Sequence, residues 1–250
     1  MKKYTLLTLA SAAIISMACG NNGGPGLEEE KSVGTSTHIE GDSTIYGLAC
    51  YGCTDTVLVF LPGRGGDPVV YNILQATKDG RVIGHPTVGD WVAVIVNGTD
   101  TTKADMVIDL DQLKGTWVSL VSPILRERIE HDYETAEGQA HEDSLLKDLM
   151  QPVEMGFSLK QHYTAQAVGR RLAARASDDS PVILPTPRNY TEWHVINGQL
   201  VLTATDPQEQ NGVKDAAKKI DNDTADFILM THDSLRLRFR DGERGYYRKP

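Results

Sequence analysis

Short runs of alternating or continuous apolar residues recur along most of this chain, and they are separated by Gly, Pro, Asn and Asp. That pattern predicts β-strands joined by tight turns. From about Thr44 to Leu110 the runs are short. Val57–Leu61 is apolar and stops at Pro62-Gly63. Tyr71–Leu74 and Arg81–Ile83 flank Asp79-Gly80, which reads as a hairpin turn. Trp91–Val96 is β-branched and ends at Asn97-Gly98, and Met106–Ile108 is a further short strand. Five or six strands in so short a stretch predict a small β-barrel or sandwich.

A second set begins near Leu113. Gly115-Thr116-Trp117-Val118 opens a strand, and Met155–Leu159 continues the alternation. Between them, Ile124 to Met150 is acidic, with Leu145, Leu146 and Leu149 at helical spacing, so helices inserted between strands are expected. Ala165 to Ala176 favours helix by propensity, and the Ser-Asp-Asp-Ser-Pro and Leu-Pro-Thr-Pro stretches after it read as loop. Trp193 to Leu202 carries Asn197-Gly198 between apolar residues, the clearest hairpin signal in the chain. Ala225–Met230 and Asp233–Arg240 are further strands, and Asp241-Gly242 turns the chain into Gly245–Arg248. In the second of these strands Leu235, Leu237 and Phe239 alternate with Arg236, Arg238 and Arg240, so one face is buried and the other wet.

The start of the chain follows a different rule. Lys2 and Lys3 precede an apolar run from Tyr4 to Met17, followed by Ala18-Cys19-Gly20. A basic start, about a dozen apolar residues and a small residue before the cut form an export signal. Such a run falls short of the roughly 20 apolar residues of a membrane span. Ser16-Met17-Ala18-Cys19 resembles a bacterial lipobox, which implies that residues 1–18 are removed and that Cys19 is lipidated. Ser16 departs from the branched apolar residue usual there. Residues 19–43 are rich in Gly, Glu and Ser/Thr and lack periodicity, so they read as a flexible tether. The expected organisation is therefore a leader over 1–18, a tether over 19–43, a small β domain over 44–111 and a second β domain over 112–250.

Charge adds one exclusion. The 250-residue chain carries 25 basic and 34 acidic residues, a net charge of −9. Loss of the leader removes Lys2 and Lys3 and no acidic residue, leaving 23 basic residues and a charge of −11. Nothing in that balance attracts a phosphate backbone, so nucleic acid is not an expected partner.

The second β domain resembles the lipocalin-like domains of Bacteroidetes lipoproteins. The resemblance rests on Gly115-Thr116-Trp117, Glu154–Leu159, Tyr190–Trp193 with Gly198-x-Leu200-x-Leu202, Asp233–Leu237 and Tyr246–Arg248. It spans about 113 to 250, and the segments 124–150 and 166–188 are longer than the plain pattern. It implies an antiparallel barrel with helical insertions, in which Gly115, Trp117 and Arg248 form a structural motif. Trp117 would plug the barrel base, with Arg248 stacked on it as a cation–π partner. The front domain looks like the companion domain that such lipoproteins carry. The fold class expected is mostly β.

Chemistry is sparse. Cys50 and Cys53 form a Cys-Tyr-Gly-Cys unit before a strand. A redox pair wants a thiolate stabilised at a helix N-terminus, which Thr54-Asp55 does not supply, so a structural disulfide or free thiols compete with that reading. No further ligands at finger spacing complete a zinc site. The seven histidines, His38, His85, His131, His141, His162, His194 and His232, form no metal motif, and the acidic surroundings of His131 and His141 read as a solvated helix face. Pro62–Asp67 is Gly-rich without the Lys-Ser/Thr of a phosphate loop, and reads as a turn. The Arg236, Arg238, Arg240 row is either a small anion patch or a wet strand face that blocks edge pairing. Asp-Ser/Thr pairs at 55, 100, 143, 223 and 233 resemble the O-glycosylation signal of exported Bacteroidetes proteins.

These readings give an expected non-enzymatic envelope protein, anchored through Cys19 with the outer membrane favoured over the inner. Its barrel would hold a small apolar molecule. The alternatives are an interaction module with a packed barrel and no ligand, and a Cys50/Cys53 thiol–disulfide exchange protein. No cofactor and no metal are expected.

Overall fold

The computed structural model describes residues 41–125, 144, 146–147, 149–169, 182–183, 188–210 and 213–250. All of them belong to one unit, Gly34–Pro250. The leader and most of the tether, with Cys19, lie outside the described residues, as do His38, His131 and His141.

The first part is a six-stranded mixed sheet. It is built from β1 (Thr44–Ala49), β2 (Val57–Pro62), β3 (Val69–Asn72), β4 (Val82–Ile83), β5 (Trp91–Val96) and β6 (Ala104–Asp109), in the order β3-β2-β1-β5-β6-β4. A parallel bridge from Asn72 to Lys103 ties the β3 edge back toward β6, so five of the strands curl into a partly open barrel. Ala49, Leu58, Phe60, Tyr71, Ile73, Val92, Val94 and Val107 fill its core.

Asp79-Gly80 departs from the expected hairpin turn. Leu74–Lys78 forms a short helix, α1, and Asp79-Gly80 ends it. Gly80 (φ +66°) donates to Thr77 O at 3.1 Å, and Arg81 donates to Ala76 O at 2.7 Å. These are the two bonds of a Schellman cap. A type I′ turn needs positive φ at both central residues, whereas Asp79 has φ −84°. The chain is thus carried across the sheet, and β4 pairs with β6 in parallel.

Asp109 caps α2 (Leu110–Leu113), which leads into the second part. There β7 (Gly115–Val121), β9 (Val153–Leu159), β10 (Ala165–Val168), β12 (Tyr190–Ile196), β13 (Gln199–Gln210), β14 (Val213–Met230), β15 (Ser234–Phe239) and β16 (Gly242–Lys249) form an eight-stranded antiparallel sheet. Its order is β10-β9-β7-β16-β15-β14-β13-β12, so the last strand pairs with the first and each other neighbour is the next strand in sequence. The two ends of the sheet meet through one bridge, Thr164 to Glu192. The result is a nearly closed up-and-down barrel, as the lipocalin resemblance implies.

Three local expectations change here. Ala165–Val168 is strand and not helix, because its backbone groups pair with Phe157, Ser158 and Leu159. Pairing with a formed sheet outweighs the modest helix preference of Ala. Ile124-Leu125 (β8), at the start of the segment expected to be helical, pairs as a two-stranded sheet with Val182-Ile183 (β11), which lies between the two stretches read as loop. β14 runs for 18 residues and takes in the polar stretch from Val213, which carries no apolar signal. Ser144, Leu146, Lys147 and Leu149 are helical, in line with the expected insertion.

Burial alternates along the barrel strands. Phe157, Leu159, Trp193, Val195, Leu200, Leu202, Leu235 and Leu237 are buried, while Arg236, Arg238 and Arg240 are exposed. The barrel core is continuous with Ile83, Ala93, Met106, Ile108, Leu110 and Leu113 of the first part.

Candidate functional site

Register places three groups of side chains where chemistry or binding could occur: the two ends of the barrel and a cleft on the curled sheet.

At the end next to the curled sheet, Arg248 pairs with Trp117 and Lys249 with Thr116. Trp117 is fully buried, and its Nε1 donates to Leu113 O at 2.8 Å. The Arg248 guanidinium lies over its ring, 4.2 Å from the centroid. Its Nη1 donates to Lys114 O at 2.7 Å, its Nε to His232 O at 2.6 Å, and its Nη2 to Gln112 O. Two of these carbonyls belong to the end of α2, where helix carbonyls lack intrahelical partners. Gly115 (φ +142°) leaves the space that Nη1 occupies, since a Cβ there would collide with it. The structure thus brings Gly115, Trp117 and Arg248 together as a closing device.

The Asn197-Gly198 hairpin docks at this same end. Both residues have positive φ, +50° and +78°, as a type I′ turn requires. Asn197 Oδ1 accepts from Ser43 N and Ser43 Oγ, both at 2.8 Å, and its Nδ2 donates to Gly41 O at 3.1 Å. Its backbone N–H donates to Asp42 Oδ1 at 3.0 Å. Tyr46 OH donates to Val195 O and contacts Asp42 Oδ2 at 3.1 Å. Burial, reinforced by Asp42, pushes the Tyr46 hydroxyl far above its ordinary pKa, so it stays a donor. Tyr163 stacks on His194 at 4.9 Å beside it, and burial lowers the His194 pKa.

The opposite end carries a polar network. Asp223 pairs with Leu202 and Tyr190 with Ala204, so both point to the buried face. Tyr190 OH donates to Asp223 Oδ2 at 2.7 Å. Arg188 forks across two carboxylates, Nη1 to Asp223 and Nη2 to Asp221 Oδ2 at 2.7 Å. Phe157 stands edge-on to Tyr190 at 6.3 Å and contacts Tyr246 at 5.0 Å. Burial first, and then the bond to Asp223, hold the Tyr190 hydroxyl protonated. Nothing in the sequence pattern marked this network, because Arg188, Tyr190 and Asp223 converge only through strand register.

The cleft measures about 190 Å³ and lies between α1, the β1–β2 loop and the β4–β5 loop. Val57, Leu58, Ile73, Val82 and Pro86 give it apolar walls, and Cys53, Asp55, Thr77 and His85 give it polar ones. Cys50 and Cys53 are half-buried free thiols. Cys53 Sγ lies 3.1 Å from Cys50 O and 3.6 Å from Val59 O, and accepts from Val59 N at 3.4 Å. Cys50 Sγ faces Leu48 O at 3.8 Å.

The remaining sequence candidates separate. Arg238 donates to Glu243 Oε1 through Nε and Nη2, and Arg236 Nη2 lies 3.5 Å from Glu243. The arginine row is therefore partly neutralised, as a wet strand face would be. His85 is exposed at the cleft, His162 sits in a left-handed turn (φ 56°), and His232 lends only its carbonyl to Arg248. Among the described residues no group of three His, Cys, Asp or Glu is placed to hold a metal ion.

No protein-family model matches the chain, and no curated protein matches it. A solved structure described as a lipocalin-like protein from Bacteroides thetaiotaomicron is similar over 54% of this chain and 95% of its own, with 18% identity and a TM-score of 0.30. The barrel itself follows from the strand pairing of this chain.

Proposed function

We propose that this chain is a non-enzymatic protein of the bacterial cell envelope, anchored by lipid on Cys19, whose barrel is a filled interaction module. One observation carries the reading. Trp117, Val195, Leu200, Leu202 and Leu237 are 0% exposed, and Phe157, Leu159 and Trp193 are 2% exposed. A cavity wide enough for a ligand would leave its walls open to a water-sized contact, and these walls are not. The strongly perturbed groups fit the same role. Tyr46 and Tyr190 are half-buried donors with fixed acceptors, and Asp109 is a buried helix cap. Perturbed groups also occur in purely structural networks.

A second reading keeps the small apolar ligand, and the apolar-walled cleft favours it there and not inside the barrel. Native mass spectrometry of full-length protein extracted from its host membrane separates the two. Bare protein mass supports the filled module, and a bound small molecule overturns it. The anchor is tested by fractionation. Wild type is expected with outer-membrane vesicles and Cys19→Ala in the soluble fraction; a variant that still pellets would refute lipid anchoring at Cys19.

A further inference from the structure

The Cys50–Cys53 segment is a tight turn with fixed shoulders. Tyr51 and Gly52 form the tip, Tyr51 is 89% exposed and Gly52 takes φ +103°. On one side Cys50 N donates to Val59 O at 2.8 Å, and on the other Thr54 N donates to Val57 O at 2.8 Å. The first and fourth Cα atoms of such a turn lie within about 7 Å. A disulfide needs a Cα separation of about 4.4–6.8 Å. Cys53 Sγ already reaches back to Cys50 O at 3.1 Å, while Cys50 Sγ points away toward Leu48 O. Closure requires the Cys50 side chain to rotate about its Cα–Cβ bond, away from Leu48 O and toward Cys53.

We propose that Cys50 and Cys53 are an oxidation site, closing a structural disulfide across this turn when the protein meets a small-molecule disulfide. One cysteine, as thiolate, attacks the small disulfide, forms a mixed disulfide and expels one small thiolate. The other cysteine then attacks the protein sulfur of that mixed disulfide and expels the second. Two electrons pass from the protein to the small disulfide, and the two protein protons end on the released thiols. Cys53 is followed by Thr54-Asp55 and then by β2, not by the helix N-terminus that would activate an exchange cysteine.

The test uses the full folded chain, incubated with oxidised glutathione, then denatured, alkylated with iodoacetamide and mapped by peptide mass. The peptide holding residues 50–53 is expected to lose two hydrogens and take up no label, and to take up two labels after dithiothreitol. Cys50→Ser is expected to retain glutathione on Cys53. Two labels on the oxidised wild-type peptide, or glutathione left on it, would overturn the clip. In an insulin-reduction assay with dithiothreitol, wild type and the Cys50→Ser/Cys53→Ser variant are expected to give equal rates. A several-fold acceleration by wild type would overturn the structural assignment.

Discussion

The guanidinium of Arg248 lies 4.2 Å over the ring of Trp117, and the same group donates to the carbonyls of Gln112, Lys114 and His232. One side chain from the last strand therefore holds the indole at the barrel base, the end of the helix before it and the loop before β15. The arrangement depends on Gly115, whose missing Cβ leaves room for Nη1.

Loss of this group removes several hydrogen bonds to a charge and a cation–π contact at once. Arg248→Ala is expected to lower unfolding stability by about 2–4 kcal/mol in urea titration. Arg248→Lys restores less than half, because an ammonium cannot fork to two carbonyls while stacking on the ring. Gly115→Ala moves stability in the same direction as Arg248→Ala. A Lys variant equal to wild type would show that charge alone, without the planar fork, holds this end.

Asn197 does two jobs that substitution separates. Asn197→Gly keeps the left-handed turn and loses the amide's bonds to Ser43 and Gly41. Its expected cost is about 1–2 kcal/mol. Asn197→Ala loses the same bonds and adds about 1 kcal/mol or more for a Cβ at positive φ. Equal stability of the two variants in chemical denaturation would mean that the turn carries no strain.

Asp109 supplies a pH signature. It is 2% exposed, and its Oδ1 accepts from Gln112 N at 2.9 Å. Burial, with Asp90 and Asp111 nearby, raises its pKa from 3.8 to about 6. The folded state thus holds this proton more tightly than the unfolded chain does. Its contribution to stability is full below about pH 4 and is lost as pH rises through 6. Asp109→Asn keeps a capping oxygen without the buried charge. At pH 7.5 the variant is expected to be more stable than wild type by up to about 3 kcal/mol, and the gap should close near pH 4. Denaturation curves across that range check this, and a variant less stable than wild type at every pH would refute it.

The strands with period-two alternation were legible in the sequence, because each side chain there needs only a buried or a wet face. Leu235, Leu237 and Phe239 against Arg236, Arg238 and Arg240 show this most plainly. The Asn197-Gly198 turn was legible for a local reason, since few residues accept positive φ in succession. Asp79-Gly80 was not, because a Gly at positive φ serves a hairpin and a helix cap equally well. The hydrogen bonds of α1 chose between them.

What the sequence by itself determined is thus the periodicity, the turn chemistry and the mostly β class, all set by interactions within a few residues. Tertiary structure decided the rest. It made Ala165–Val168 a strand by offering an edge of β9, and it made the polar start of β14 a strand by pairing it with β13. It aimed Arg188 and Tyr190 at Asp223, residues 35 and 33 positions apart. It also left Trp117, Val195, Leu200, Leu202 and Leu237 without exposed surface, a point alternation alone leaves open, because a buried face is equally apolar whether it lines a cavity or meets another side chain.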